Sequence, residues 1–369
     1  MHFGFSLPGR GPLARPDSLV KLARKADSLG YASLFVTDHV VIPLRNESSY
    51  PYSPTGKFAD DWKEGYLEPL ALMSYLAGAT STVRLGTSVL ILPYRNPVVV
   101  AKMLATLDVM SGGRVILGAG VGWFKEEFEA LQAPPFAERG RASDEYIGLM
   151  RACWTREPLE WNGTYYRLGP VSAMPKPLQG RIPIWTGGHT GAALRRTGEL
   201  ADGWHPIGLR APAALYPEEY AEKAAVIADW ARKAGRDPKE ITLTFRAPLE
   251  LHPRGAKASG GDRVPFRGTP AEVIADIRSY QAVGVTHFIF DFTSTDLRAL
   301  LTLMERFASD VRPMVMRAGP RHARGSAARR AVKRASGVRA GPRRARGARG
   351  SATRRAVKRA ENRAPRGDR

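Results

Sequence analysis

From residue 2 to about residue 309, short apolar runs alternate with segments whose apolar positions recur every three or four residues. The first run covers 2–7 and is followed by a helical segment at 17–29. There Leu19, Leu22, Ala23, Ala26 and Leu29 share one face, and Gly30 follows as a stop. A second strand at 32–37 leads through a long loop to a helix at 68–80. The third strand lies in Gly86-Thr87-Ser88-Val89-Leu90-Ile91-Leu92-Pro93, an apolar run interrupted by a serine. Its helix, 97–110, opens on Pro97 and closes on Gly112-Gly113. A fourth strand at 114–118 precedes helices at 125–132 and 141–155. An insertion at 160–180 reads as a hairpin. Strands at 182–186, 204–207, 241–251 and 286–292 then alternate with helices at 192–201, 217–234, 270–283 and 296–309. Thr269 and Ser294 are placed to cap the last two.

Eight strand-then-helix units in series predict a (β/α)8 barrel. Runs such as Val89-Leu90-Ile91-Leu92 and His287-Phe288-Ile289-Phe290 suit parallel strands buried on both faces. No apolar run approaches the roughly 18 residues that span a bilayer. The amino terminus lacks the basic-then-apolar layout of a signal peptide. One cysteine, Cys153, excludes an internal disulfide framework and fits a reducing compartment. A cytoplasmic location without membrane contact is the expectation.

Charge divides the chain. Of a formal net charge of +21, residues 317–369 hold 19 Lys and Arg against 2 Asp and Glu, whereas residues 1–316 are nearly balanced. Within the tail, Arg-Gly-Ser-Ala-Ala-Arg-Arg-Ala-Val-Lys-Arg-Ala (324–335) recurs at 349–360 with a single change, a period of 25 residues. Two copies without an apolar face cannot stack into a core, so the tail is expected to be disordered. Its chemistry suits non-specific, salt-sensitive contact with nucleic acid or another polyanion. The expected organisation is a barrel over 1–312 and a basic tail over 317–369.

In such a barrel the chemistry sits where strands end and βα loops begin. Those exits carry Asp38 and His39, the stretch from Ser88 to Asn96, Gly118 to Gly122, Gly187 to Thr190, His205, Arg246 and Asp291. A histidine at a strand exit can exchange protons near neutral pH, and a neighbouring carboxylate can orient or charge it. Gly187-Gly188-His189-Thr190 opens a helix, where free N–H groups favour an anion such as phosphate. Gly118-x-Gly120-x-Gly122 departs from the GxGxxG dinucleotide pattern and follows the fourth strand, not the first. The histidines show no metal-ligand spacing, and no GxSxG or Walker sequence is present.

Together these residues resemble the bacterial luciferase-like monooxygenase superfamily, in particular its branch of probable oxidoreductases dependent on coenzyme F420, a deazaflavin. The resemblance covers about residues 1–310. It is carried by Phe35-Val36-Thr37-Asp38-His39, by Arg84 to Pro93 with Arg95-Asn96-Pro97, by Leu107-Asp108 with Ser111 to Arg114, by Gly118 to Trp123 with Glu126-Glu127-Phe128, by Pro183 to Gly188, and by Ala201-Asp202-Gly203-Trp204. It implies hydride transfer between the deazaflavin and a small organic substrate. A bulge with a non-prolyl cis peptide at Ser88–Val89 would back the cofactor ring, Gly120 would lie beside it, and Gly187, Gly188, His189 and Thr190 would hold its phosphate. His39, with Asp38, matches a catalytic base. Tyr94, Trp123 and His205 are assigned to the substrate pocket. Members with a sugar-phosphate substrate carry a carboxylate where this chain has Trp123, so an acid would have to come from Glu126 or Glu127. The resemblance also implies a homodimer. Two alternatives stand beside it: an FMN-dependent monooxygenase on the same barrel, and a silent barrel whose tail binds nucleic acid.

Overall fold

The computed structural model describes residues 1–45, 47–58, 64–258 and 263–317. Contacts divide the chain into a unit over Met1–Ala318 and a second over Gly319–Arg369. The expectations for the tail lie outside the described residues. Among those residues, no helix is long and apolar enough to cross a membrane.

Alternation of strand and helix runs the length of the first unit. β1 (His2–Ser6), α1 (Pro16–Ser28), β2 (Ser33–Val36), α2 (Pro69–Ala77), β3 (Arg84–Thr87), β4 (Leu90–Ile91), α3 (Pro97–Ser111) and β5 (Val115–Gly120) form the first half. α4 (Lys125–Ala130) and α5 (Arg139–Thr155) follow, then an antiparallel pair, β6 (Leu159–Asn162) and β7 (Arg167–Val171), which is the expected hairpin. The second half is β8 (Ile184–Thr186), α6 (Gly191–Leu200), β9 (Gly203–Trp204), α7 (Pro217–Lys233), β10 (Thr242–Pro248), β11 (Glu250–Leu251), β12 (Arg267–Gly268), α8 (Pro270–Ala282), β13 (His287–Asp291), α9 (Leu297–Arg306) and α10 (Arg312–Met316).

The staves pair in the order β3-β2-β1-β13-β10-β9-β8-β5, and a β3–β5 pairing closes the ring. All eight are parallel, as the eight-unit count requires. Phe35, Ile116, Trp185 and Ile289 form a small cluster of their own, separate from the main core, which carries the apolar faces of the surrounding helices. Local chemistry explains the helix limits. Asn96 accepts hydrogen bonds from the Val98 and Val99 amides at the start of α3, and Gly112 ends it in a left-handed conformation. Thr269 caps α8 within a reciprocal box with Glu272. At α9 the cap is Asp296, which accepts from the Arg298 amide, and Ser294 stands one step earlier, accepting from Asp296 N. The last helix continues past 309 through a π turn at Phe307–Val311, just before Pro313, which has no amide proton to donate.

One feature of the ring departs from regular pairing. Gly86 lies opposite Ile116, yet Leu90 lies opposite Ala119, so four steps along the third stave face three along β5. The extra residue makes a bulge, and the Ser88–Val89 peptide within it is cis. A Cβ on Gly118 would stand 1.8 Å from the Thr87 carbonyl oxygen, and one on Gly120 would stand 2.3 Å from Val89 Cγ2. The glycine run of β5 is therefore the space into which the bulge fits. Gly118→Ala should lower the urea midpoint sharply, by at least the roughly 1–3 kcal/mol of an overpacked core site. Gly169→Ala, where nothing lies within 4 Å of an added Cβ, should leave it nearly unchanged.

Candidate active site

The polar atoms of the bulge are tied to the barrel interior by a chain of hydrogen bonds with one consistent direction. Arg246 Nη1 donates to both Ser88 O and Ser88 Oγ, each at 2.7 Å. Ser88 Oγ stands 2.7 Å from His205 Nε2, and His205 Nδ1 stands 3.0 Å from Thr244 Oγ1. Thr244 spends its own proton on Trp204 O at 2.9 Å. His205 Nδ1 therefore carries the hydrogen, and Nε2 accepts from Ser88. Arg246 is held in turn by Asp291, which also receives Arg210, at 2.8 and 2.9 Å. Burial alone would raise the Asp291 pKa, but Arg246 and Arg210 outweigh it and hold the carboxyl below its usual range.

His205, expected to line the substrate pocket, stands instead beneath the bulge. It is 3% exposed, with its ring stacked on Phe35 and both nitrogens engaged. Burial, reinforced by Arg246, lowers its pKa to about 3, so the ring is neutral. Val89 turns the other way. It is half-buried, with its methyl groups between the Cα atoms of Gly120 and Gly187.

His39 at the exit of β2 is oriented by Glu127. The fully buried Glu127 carboxylate accepts from His39 Nδ1 at 2.8 Å, from the Val40 and Val41 amides at 2.7 and 3.2 Å, and from the Tyr94 hydroxyl at 3.0 Å. Those donors fix the histidine proton on Nδ1 and leave Nε2 with a lone pair. The adjacent carboxylate, Asp38, does not perform this task. It accepts both Arg95 terminal nitrogens, at 2.7 and 2.8 Å, and the Ile91 amide at 2.9 Å, so it anchors the strand beyond the bulge. Tyr94 likewise turns inward to Glu127 and is only 9% exposed; it braces the carboxylate and does not line an open pocket. Burial, followed by Glu127, raises its hydroxyl pKa.

Gly187 to Thr190 form the turn into α6. Gly188 has φ +97°, and Thr190 caps the helix by accepting from the Ala193 amide. That cap takes the Ala193 amide, and Gly191 and Ala192, the first two residues of α6, have no intrahelical acceptor for theirs. His189 Nε2 is buried without a hydrogen-bond partner among the described residues, and burial, then Lys223, lowers the ring's pKa. An orphaned buried nitrogen beside free helix-start amides fits a bound anionic oxygen.

Trp123 follows β5 and stacks on Phe124 with ring centroids 4.6 Å apart. Tyr50 and Phe58, from the long β2–α2 loop, each pack 5.0 Å from Trp123, and Tyr52 reaches His189 at 6.3 Å. In the sequence Glu126 and Glu127 are equal candidates, and no motif there places these loop aromatics. The available signal was the pair of acids opening α4 and the tyrosines of Ser49-Tyr50-Pro51-Tyr52. Among the described residues, no group of three His, Cys, Asp or Glu side chains stands together as a metal site.

The neutral His205 has a consequence for stability. The unfolded chain takes up a proton at this histidine below about pH 6.5, and the folded chain does so only near pH 3. Stability should therefore fall as pH drops through that window, by up to about 1.4 kcal/mol per pH unit from this group. In urea unfolding between pH 6.5 and 4, His205→Asn should show a shallower slope than the wild type by about that amount.

The sequence model of luciferase-like monooxygenases matches residues 1–260. An uncharacterized protein of Mycobacterium tuberculosis is 38% identical over 187 residues, which cover 50% of this chain and 63% of that protein's length. The F420-dependent glucose-6-phosphate dehydrogenase 1 of Rhodococcus jostii is 29% identical over 333 residues, 79% of this chain and 92% of that one. Among solved structures, a monooxygenase from Streptomyces bottropensis superposes with a TM-score of 0.68 at 23% identity, covering 85% of this chain and 99% of that one. With the family's sequence model matched over most of the barrel and the expected ring of eight staves in place, this chain belongs to the luciferase-like monooxygenase family.

Proposed function

We propose that this protein is an oxidoreductase that uses the deazaflavin coenzyme F420 for hydride transfer to or from a small organic substrate. The observation that carries the reading is the grouping at one rim of three parts: the Ser88–Val89 bulge, the Gly187–Thr190 turn with its orphaned His189 nitrogen, and the His39–Glu127 pair. Similarity to the Rhodococcus dehydrogenase along most of both chains supports the same cofactor.

When bound, the deazaflavin supplies a two-electron hydride acceptor or donor. The protein's own residues supply the rest. The α6 amides and His189 would hold the phosphate, and Val89 and Gly120 would stand against the ring. His39 Nε2 would take the proton of a substrate hydroxyl, or return it to a carbonyl. Glu127 fixes the tautomer that allows this and stabilises the imidazolium that results. A carbon at the position where FMN has nitrogen 5 disfavours the oxygen chemistry of the FMN alternative.

Side-by-side titration of the purified protein with F420 and FMN tests the cofactor, with saturable F420 binding as the expected result. Retention of reduced FMN with oxygen consumption, and no F420 binding, would overturn it. His39→Ala should cut kcat by about 10²–10⁴-fold, the usual range for a lost acid–base group. Glu127→Gln should act in the same direction but less. Both variants should keep the wild-type Kd for F420.

A further inference from the structure

The unpartnered groups beside the Gly187–Thr190 turn carry a further inference, which rests on the deazaflavin reading and adds a residue to its site. We propose that Tyr52 is a further cofactor-binding residue. Its hydroxyl donates to the phosphate held at the start of α6, so the β2–α2 loop straps the cofactor in from across the barrel mouth.

Tyr52 belongs to the loop that leaves β2, and the turn follows β8. The two staves are separated by β3 and β5 in the closed ring. Even so, the Tyr52 ring reaches His189, with centroids 6.3 Å apart. Both residues are half-buried, and His189 Nε2 and the Tyr52 hydroxyl have no hydrogen-bond partner among the described residues. Burial pushes the Tyr52 pKa up to about 12, with Tyr50 adding to the rise and Arg246 opposing it. At neutral pH the hydroxyl therefore keeps its proton and can donate it to an anionic oxygen. A phosphate beside His189 favours the charged imidazole, which makes Nε2 a donor as well. The Gly191 and Ala192 amides add two more donors without an acceptor in their helix.

The strap is fastened at α4. Glu126 accepts from the Glu47 and Ser48 amides at 2.6 and 3.0 Å and from Ser48 Oγ at 2.5 Å, and Ser48 Oγ accepts from the Lys125 amide at 3.1 Å. The Tyr50 amide donates to Gly56 O at 2.7 Å, which closes 50–56 into a turn of its own. Tyr50 packs 5.0 Å from Trp123 and 5.1 Å from Phe58, and Phe58 lies 5.0 Å from His39. These rings form an aromatic wall on the histidine side of the mouth. Tyr52 carries the same loop on to the phosphate side. A hydroxyl already held in place loses little freedom when it binds, so the clasp at Glu126 contributes to affinity without touching the ligand.

The test uses the full-length protein, with F420 and inorganic phosphate as probes. Calorimetry reads Kd, and the rate of trypsin cleavage after the exposed Lys57, further along the loop, reads the strap. F420 and phosphate should each slow cleavage of the wild type. Tyr52→Phe keeps the ring; it should raise the Kd for F420 by about tenfold and remove most of that protection. Glu126→Ala should speed cleavage of the free protein and raise the same Kd. Glu129→Ala, in the same helix with its carboxylate on Lys125, should change neither. Protection by F420 alone supports the proposal equally where Tyr52→Phe removes it. A wild-type Kd for F420 in folded Tyr52→Phe overturns the strap and leaves the deazaflavin reading standing. Failure to bind F420, with phosphate still protecting Lys57 through Tyr52, sinks the deazaflavin reading and keeps the strap.

Discussion

One surplus residue in the third stave determines how the rim is built. Four residues against three push the Thr87 carbonyl and the Val89 side chain toward β5. Only a strand without Cβ atoms at 118 and 120 can stay paired there. The same displacement turns Ser88 into the barrel, where its hydroxyl and carbonyl must find partners. Arg246 and His205 supply them, and Asp291 neutralises the arginine that would otherwise be a buried charge. Steric relief on one side and polar satisfaction on the other are thus two halves of one constraint. The interior network is the bulge's support, and Val89 is what the bulge presents outward.

A second organiser is the first turn of α4. Consecutive residues on a helix point about 100° apart, so Glu126 and Glu127 reach different segments of the β2–α2 loop. Glu127 takes His39, Val40 and Val41, and Glu126 takes Glu47 and Ser48. A long loop would otherwise pay a large conformational entropy to hold its aromatic rings over the rim. Five charge-assisted contacts to backbone amides and one imidazole offset much of that cost.

Most of the barrel was legible because parallel strands buried on both faces leave uninterrupted apolar runs, and glycine, proline and cap residues mark the helix ends. β9 is the exception: two paired residues, Gly203–Trp204, and a lone bridge from Ile207 to Arg246 replace a four-residue strand. The rim was legible as a set of positions, not as a set of directions. His39 and the Gly187–Thr190 turn could be located from strand exits alone. Which way Tyr94 and His205 point could not: Tyr94 lies in a short 3-10 turn just past the bulge, and His205 follows a stave only two residues long, so strand alternation directs neither. Asp38 misled for a related reason. Being next to His39 in sequence places its side chain on the other side of the backbone, facing Arg95, while the carboxylate that meets the imidazole comes from 88 residues away.

The parts of the rim divide by where they are anchored. The bulge, its interior network and the α6 turn are built from staves and a helix start, so their geometry is set by the closed ring of strands. The aromatic wall comes from one loop and from Trp123, held by two carboxylates at α4, and can change its residues without disturbing a stave. His39 stands where the two meet: its backbone leaves β2, but its tautomer is set from α4. A barrel arranged this way can keep its floor and its proton-handling group while the wall is rewritten. That separation explains how a chain can share its fold with a monooxygenase and align along most of its length with a sugar-phosphate dehydrogenase, yet present a tryptophan at the wall.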